Sequence, residues 1–284
     1  MSILIEDLNY IYDPGTIFEK QALKDISLSV EKGSICGIMG MTGCGKTTLI
    51  QMIAGLYTPT SGKVIIDGED INDPDYDRLK LRSRLGIVFQ YPESQLFETT
   101  AFKDVAFGLK HSGLSDEEKT ENIRWALEVT GFDFEKIKDK SPLSLSGGEK
   151  RRLAIAGVLA VKPDYLLLDE PFAGLDPVGR ERFVALLKGL NREGMTIIIV
   201  SHNADAVAEC VTDLVIMKGG SIVLKGEVHD VFGNKELLRE CGVQVSSAAW
   251  TGQMLTEKGT LAESRAITID ELVSELTAAL GERT

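Results

Sequence analysis

The chain has 284 residues, of which 43% are hydrophobic and 26% charged, a composition typical of a folded globular protein. Its formal net charge is −12 and its pI about 4.9, which argues against a nucleic-acid-binding protein, since such proteins carry a basic footprint. The four cysteines show no paired spacing, so we expect no zinc site and no disulfide framework, and a reducing cytosol fits best.

Neither a leader nor a membrane span is expected. The first residues include early acidic side chains and no cleavage pattern, which argues against a signal peptide. The longest apolar run, residues 153–161, is nine residues long. A spanning helix needs ~20, so we expect that the chain does not cross a membrane by itself.

The first third of the chain is predicted to be mostly β-structure. Strand character is found at residues 3–8, 22–30 and 35–39, with turns at 13–15 and 31–33.

A glycine-rich stretch follows the third of these strands and precedes an apolar helical pattern. It matches the P-loop pattern G-x-x-x-x-G-K-[ST] in the strand–loop–helix context that the pattern requires. Glycines let backbone N–H groups face phosphate oxygens, and the positive end of the following helix adds to the attraction. Lys46 supplies a cation for the β- and γ-phosphates, and Thr47 offers a hydroxyl to Mg²⁺. The predicted nucleotide-binding residues are Gly40, Met41, Thr42, Gly43, Cys44, Gly45, Lys46, Thr47 and Thr48.

Helical patterns dominate the middle of the chain, and strands then return. We interpret residues 91–163 as a helical insertion in an α/β core. Apolar runs at 165–168 and 196–200 predict buried strands, and a hairpin is expected around Gly219 and Gly220. Beyond residue 234 we expect two helical stretches separated by a softer middle.

Polar side chains directly follow the predicted core strands. Alternation of strands and helices indicates a largely parallel sheet, whose ligands gather at the carboxyl ends of the strands. Gln90, Asp169 and His202 each stand at such an end. Asp169 is the expected Mg²⁺ ligand, with Gln90 beside it, and Glu170 is the candidate general base. His202 can donate a hydrogen bond to the γ-phosphate, although a lone histidine is more often structural.

A second helix start also offers backbone N–H groups to an anion. This segment, which we call the LSGGE segment, consists of Leu145, Ser146, Gly147, Gly148 and Glu149. Its alternative interpretation is an ordinary helix N-cap. Two anion-binding elements in one chain raise the question of whether both grip the same nucleotide.

The motifs together resemble those of the ATP-binding cassette (ABC) ATPases, whose signature is LSGGQ. The resemblance covers residues 1 to about 230 and includes the P-loop, Gln90, LSGGE, the L-L-L-D-E-P run, the D-loop ending at Asp176, and His202, in family order. It implies ATP and Mg²⁺ as ligands, and a signature that meets the γ-phosphate held by another subunit. Tyr12 matches the aromatic residue that stacks on adenine, but it could equally pack within a strand.

The resemblance also implies the architecture. We expect an α/β P-loop NTPase core of the ABC type with an N-terminal antiparallel β subdomain, a helical subdomain and a small C-terminal helical extension. The expected bounds are 1–233 for the ATP-binding domain, about 91–163 for its helical subdomain, and 234–284 for the extension.

A narrower resemblance concerns the segment F-Q-Y-P-E-S-Q-L-F and the residues after the signature. Both are similar to the second of the paired ATPase types of energy-coupling factor (ECF) transporters. That resemblance implies a peripheral subunit on the cytoplasmic face of the cell membrane, paired with a second ATPase subunit as a homodimer or heterodimer. It also implies a transmembrane T component and a substrate-binding S component, with a vitamin or transition-metal ion as cargo. The alternatives are another ABC importer and a soluble ABC ATPase without a transport role.

Two expectations follow from this resemblance. Tyr91, Pro92, Leu96 and Phe97 would form an exposed apolar patch for a helix of the T component, unless they simply pack between subdomains. The sequence also departs from the family pattern at Glu149, where glutamine is usual, which puts signature-to-ribose contacts in doubt. The remaining departures are Met41, Cys44 and Phe172.

Overall fold

The computed structural model describes residues 3–281, and ten strands within that range form two sheets. The strands are β1 (Ile3–Tyr12), β2 (Lys20–Val30), β3 (Ile35–Gly40), β4 (Ser61–Ile66), β5 (Glu69–Asp70), β6 (Leu85–Val88), β7 (Tyr165–Asp169), β8 (Thr196–Val200), β9 (Asp213–Lys218) and β10 (Ser221–Glu227). A four-stranded antiparallel sheet has the order β2-β1-β4-β5, and a six-stranded sheet has the order β10-β9-β3-β8-β7-β6.

The described helices surround these sheets and fill the middle of the chain. They are α1 (Lys46–Ile53), α2 (Arg78–Arg84), α3 (Ala101–Phe107), α4 (Asp116–Val129), α5 (Phe134–Ile137), α6 (Gly147–Leu159), α7 (Pro177–Arg192), α8 (Ala204–Cys210), α9 (Val228–Gly233), α10 (Lys235–Glu240), α11 (Ser247–Glu257) and α12 (Ile269–Gly281). Short 3₁₀ turns occupy Pro92–Gln95 and Pro142–Ser144. Within residues 3–281, no helix has the length and apolar character needed to cross a bilayer.

The six-stranded sheet is parallel through its centre. Strands β3, β6, β7 and β8 run in one direction, and β9 pairs in parallel with β3. Every residue of β3, β7 and β8 is buried, because helices cover both faces of the sheet and the strands carry almost only apolar side chains. Parallel strands leave their carboxyl ends on one edge, as the sequence predicted.

The helical block between β6 and β7 packs around α6. Helix α4 begins with a capping box in which the Ser115 hydroxyl accepts from the Glu118 N–H and the Glu118 carboxylate accepts from the Ser115 N–H. Buried side chains of α3, α4 and α6 join the core cluster that also includes β3 and β8.

The chain beyond residue 234 differs from expectation. The segment predicted as a softer middle contains α11, whose first N–H groups are capped by Ser246. Its sequence has small residues at the start and an exposed Trp250, so an apolar periodicity was not visible. Asp205 of α8 fixes this helix by accepting hydrogen bonds from the Ser247 N–H (2.6 Å) and hydroxyl (3.0 Å).

One residue of the extension touches the P-loop. Gly242 has a positive φ of 63°, and a Cβ at this position would lie 2.8 Å from the Met41 side chain. Only glycine satisfies both conditions without strain or displacement of Met41.

Candidate nucleotide-binding site

The P-loop turns the chain from β3 into α1. Gly45 precedes α1 with a φ of 103°, a conformation that favours glycine, and a Cβ there would lie 2.6 Å from the Ala22 carbonyl oxygen. The turn leaves the first N–H groups of α1 free of intrahelical partners. Lys46 is buried, and its Nζ donates to the carbonyl oxygens of Gly40 (2.8 Å) and Met41 (3.0 Å). The loop therefore combines a helix N-terminus with a buried cation.

Asp169 ends β7 next to the P-loop helix. Its side chain is 5% exposed, and burial raises the pKa of the carboxyl, an effect that a hydrogen bond from Thr47 opposes. Its Oδ1 is buried and has no hydrogen-bond partner among residues 3–281. A buried carboxylate oxygen without a partner, next to a threonine hydroxyl, matches the oxygen ligands that Mg²⁺ prefers.

Glu170 and His202 meet at the ends of neighbouring strands. The Glu170 N–H donates to the Val200 carbonyl oxygen at 2.8 Å, which ties the residue to the end of β8. Its Oε2 lies 2.8 Å from His202 Nδ1 and accepts from the His202 N–H at 3.3 Å. The histidine is 73% exposed, whereas the carboxylate is mostly buried. A carboxylate so oriented can accept a proton from, or hold, a water molecule in the cavity.

A cavity of about 370 Å³ brings most of the predicted residues together. The predicted residues that line it are Tyr12, Thr42, Gly43, Gly45, Lys46, Thr47, Thr48, Gln90, Asp169, Glu170 and His202. Gly40 and Cys44 lie buried beneath the loop, and Met41 faces Gly242.

Sequence reasoning missed three residues of the cavity wall, Lys20, Ala22 and Val200. Lys20 could have been found from strand pairing, because β2 begins opposite Tyr12 in the antiparallel register.

Tyr12 stands at the rim among other tyrosines. Its ring lies edge-on to Tyr10, with centroids 4.8 Å apart, and edge-on to Tyr57, with centroids 6.1 Å apart. Its hydroxyl is 3.1 Å from the Thr48 hydroxyl. The ring is held both by strand neighbours and by the P-loop helix, so it forms a fixed aromatic wall.

The LSGGE segment lies apart from this cavity. Ser146 caps α6, its hydroxyl and N–H lying 2.7 and 2.9 Å from one carboxylate oxygen of Glu149. These hydrogen bonds lower the pKa of Glu149. Gly147 and Gly148 have open space beside them, whereas Leu145 is buried in the core. A single chain does not bring its signature to its own P-loop.

A second cavity, of about 540 Å³, separates the LSGGE segment from α7. Asp176 lines it and caps α7, accepting from the Gly179 N–H at 2.6 Å. The D-loop aspartate and the signature thus share one surface.

The predicted apolar patch is only partly exposed. Tyr91 and Phe97 face solvent, Phe97 with 63% exposure, but Pro92 is buried and Leu96 packs against the core. The expectation of exposure was wrong for Pro92, which is buried in the 3₁₀ turn, whereas Leu96 follows the turn and is partly buried. Phe107, which sequence reasoning missed, is exposed and meets Phe97 edge-on at 5.0 Å between centroids. The exposed aromatic patch therefore consists of Tyr91, Phe97 and Phe107.

Comparison with known proteins agrees with this geometry. The ABC transporter family model matches residues 23–173, more than half of the chain. The energy-coupling factor transporter ATP-binding protein EcfA2 of Clostridium perfringens is 47% identical over 260 residues, which cover 91% of each chain. The protein of the same name from Clostridium tetani is 45% identical over 277 residues, covering 97% of this chain and 96% of its own.

Solved structures give the same fold. The structure of cbiO1 from Clostridium perfringens, described as part of the ABC transporter complex cbiONQ, has a TM-score of 0.73 and 40% identity, covering 86% of this chain and 95% of its own. A dimer of the ATP-binding cassette MJ0796, in a post-hydrolysis state bound to ADP and Pi, has a TM-score of 0.70 and 30% identity, covering 80% of this chain and 98% of its own.

These comparisons confirm the fold class and the ATPase activity predicted from the sequence. The chain belongs to the ABC transporter ATPases and, within them, to the energy-coupling factor transporter ATP-binding proteins.

Proposed function

We propose that this chain is one of two ATPase subunits that bind and hydrolyse ATP to drive an ECF-type importer. The observation that carries the proposal is the cavity in which the P-loop, Asp169 and the Glu170–His202 pair converge. The T and S components would span the membrane, and the chain would sit at the cytoplasmic face and contact the bilayer only through them. The cargo, a vitamin or a transition-metal ion, would be selected by the S component.

The P-loop binds the phosphates in this proposal. The N-terminus of α1 and the Lys46 ammonium attract the β- and γ-phosphates, and Tyr12 forms the wall against which adenine stacks. Thr47, Gln90 and Asp169 would hold Mg²⁺, and the free Oδ1 of Asp169 supports that assignment. When bound, Mg²⁺ neutralises charge that develops on the transferred phosphoryl group.

Glu170 and His202 prepare the attack on the γ-phosphate. The Glu170 carboxylate orients a water molecule and takes its proton, while His202 holds the carboxylate by its Nδ1 and N–H. With both ring nitrogens protonated, His202 would also donate from Nε2 to a γ-phosphate oxygen.

Closure of the site needs a second subunit. Ser146, Gly147 and Gly148 of the LSGGE segment are exposed and lie outside the nucleotide cavity of their own chain, which supports a role in trans on the ATP of the partner ATPase subunit. Asp176 lies on the same surface and would face that partner. ATP then joins the two subunits, and hydrolysis releases them.

The exposed aromatic patch is the proposed contact with the T component. Gln90 lines the nucleotide cavity, and the exposed Tyr91 is the next residue in the chain. Movement of a partner helix docked on the patch would therefore be passed directly to the cavity wall.

Purification from membranes tests the proposal. Glu170→Gln, in the presence of ATP and Mg²⁺, should trap the closed dimer, and mass spectrometry should identify a second ATPase subunit and a polytopic membrane protein in stoichiometric amounts. A binding-protein-dependent importer in their place would assign the chain to another importer type. A trapped ATPase free of membrane proteins would reject the transport role.

A further inference from the structure

A buried arginine at the start of α6 joins the LSGGE helix to the loop that follows β7. Arg151 is 6% exposed, and no carboxylate among residues 3–281 forms a salt bridge with it. Its guanidinium instead donates to the main-chain carbonyl oxygens of Glu170, Pro171 and Ala173. One side chain therefore binds three carbonyl groups of a single turn.

That turn sets the position of Glu170. The residue has a φ of 50°, in the left-handed region that a non-glycine residue adopts at a cost of about 1 kcal/mol or more. A conformation of this kind persists only when the surrounding contacts hold it. The Glu170 N–H donates to the Val200 carbonyl oxygen, and the Glu170 carbonyl oxygen accepts from the Ala173 N–H (3.2 Å) and from the Arg151 guanidinium (3.4 Å), which also holds Ala173 by its carbonyl oxygen.

A third element faces the same guanidinium. The Pro92–Gln95 turn packs against α6 and carries Glu93. Burial lowers the pKa of Arg151, and the charge of Glu93 acts in the opposite direction. Arg151 Nε and Glu93 Oε2 are both buried, and neither has a hydrogen-bond partner among the described residues. Arg151 and Glu93 therefore carry opposite charges on two elements that pack together, and each has one buried polar atom without a hydrogen-bond partner among the described residues.

We propose that Arg151 is a positioning residue for Glu170 and that Glu93 links it to the 92–95 turn. The turn lies between Tyr91 and Phe97 of the exposed aromatic patch. A shift of the turn would therefore be passed to Glu170 through the Arg151 guanidinium. This inference rests on the role of Glu170 in the proposed function. It adds a connection among three elements that are remote in sequence.

Substitution of Arg151 tests the first half of the inference in the purified ATPase complex. Arg151→Met should lower kcat about 10- to 100-fold, because small displacements of a catalytic group have effects of this size. The KM for ATP should stay within about twofold, since the P-loop contacts are intact. Arg151→Lys keeps the charge without the fork and should recover part of kcat.

Arg152 provides the matched control, because its guanidinium lies over the Phe132 ring, 4.8 Å from the centroid, and not on the turn. Arg152→Met should leave kcat within about twofold. If Arg151→Met does not fold, a kcat of Arg151→Lys at least about threefold below wild type with unchanged KM supports the inference. Wild-type kcat in Arg151→Lys, or a loss that resides in KM, overturns it.

A double-mutant cycle tests the link to Glu93. Combined with Arg151→Lys, Glu93→Gln should lower kcat by less than the product of the two single effects, because both changes interrupt one connection. Effects that multiply within about twofold reject the link. Glu170→Gln serves as the reference. Normal ATP hydrolysis by that variant would reject the proposed function itself. Loss of hydrolysis in Glu170→Gln together with wild-type kcat in Arg151→Met would reject only the positioning role of Arg151.

Discussion

The P-loop opens onto a cavity flanked by buried charged side chains, whereas the signature residues Ser146 to Gly148 lie on an exposed surface. Both begin a helix with glycine and both offer N–H groups, yet their surroundings differ. The P-loop has the buried Lys46 and the buried Asp169 beside it. Both residues are held in place by strands, β3 and β7, whose residues are all buried.

In the LSGGE segment, the Glu149 carboxylate accepts from the Ser146 hydroxyl, and the cavity beside it is lined by side chains that include Arg152 and Asp176. The P-loop thus has its phosphate-binding and metal-binding side chains within the same chain, whereas the LSGGE segment lies outside the nucleotide cavity of its own chain and is proposed to act on a partner subunit.

The largest effect on ATP hydrolysis should come from substitution of Glu170 in the P-loop cavity. Glu170→Gln should lower kcat at least about 100-fold, because it removes the group proposed to accept the proton, while ATP affinity changes by no more than about threefold. Steady-state phosphate release and equilibrium ATP binding measure the two quantities. Glu193→Gln, an exposed acid at the end of α7, should change neither. Substantial hydrolysis by the Glu170 variant would reject Glu170 as the proton acceptor and, with it, the view that the P-loop cavity holds the catalytic base within one chain.

The next effect should come from the exposed aromatic patch. Replacing both Phe97 and Phe107 with serine should weaken association with the membrane component about tenfold or more, because exposed aromatic anchors carry much of an interface's energy. ATP binding by the isolated chain should not change. Leu79→Ser removes an equally exposed apolar side chain on α2 and should have no effect. Retention of the complex by the double variant would reject the assignment of this surface.

A smaller effect is expected at the signature. Glu149→Gln keeps an oxygen for the Ser146 hydroxyl but removes a negative charge from the proposed trans phosphate site, so the KM for ATP should fall about two- to fivefold. Titration of ATP hydrolysis by the assembled complex measures it.

Helix α4 supplies the control for this change. Glu118→Gln alters an identical capping box that lies away from both cavities, and it should leave KM unchanged. Equal effects of the two substitutions would mean that Glu149 acts on helix stability alone.

How far the sequence predicted these features depends on what holds each residue. Asp169 and His202 were found because apolar runs mark buried strands, and strand ends follow from that pattern. Arg151 was not, because its partners are main-chain carbonyl groups, which no side-chain pattern reveals. The burial of Pro92 depends on a 3₁₀ turn, and so few residues carry no periodicity that the sequence could show.

The smallest predicted effect concerns a surface junction between β10 and the extension. His229 lies 3.0 Å from a carboxylate oxygen of Glu227 and 3.0 Å from one of Glu271. Burial lowers the pKa of His229, but the two hydrogen-bonded carboxylates outweigh it and the net shift is upward. A raised pKa means that the stabilisation is complete below the unfolded value of about 6.5 and is lost as pH rises through the folded value.

His229→Ala should therefore lower the melting temperature by about 1 °C at pH 6 and by less at pH 9, since the pair is partly exposed. Differential scanning calorimetry at the two pH values measures this. His111→Ala, at another exposed histidine, is the control for loss of an imidazole at the surface. A difference that grew with pH would contradict an upward shift of the His229 pKa.

The contact of Met41 with Gly242 gives two positions far apart in the sequence a common steric constraint. Met41 is 57% exposed, yet the absence of a side chain at Gly242, about 200 residues later, leaves the space that its Cγ and Sδ occupy. Substitutions at the two positions should therefore be inherited together. A chimera that joins this cassette to the tail of a relative would need the pair from one parent.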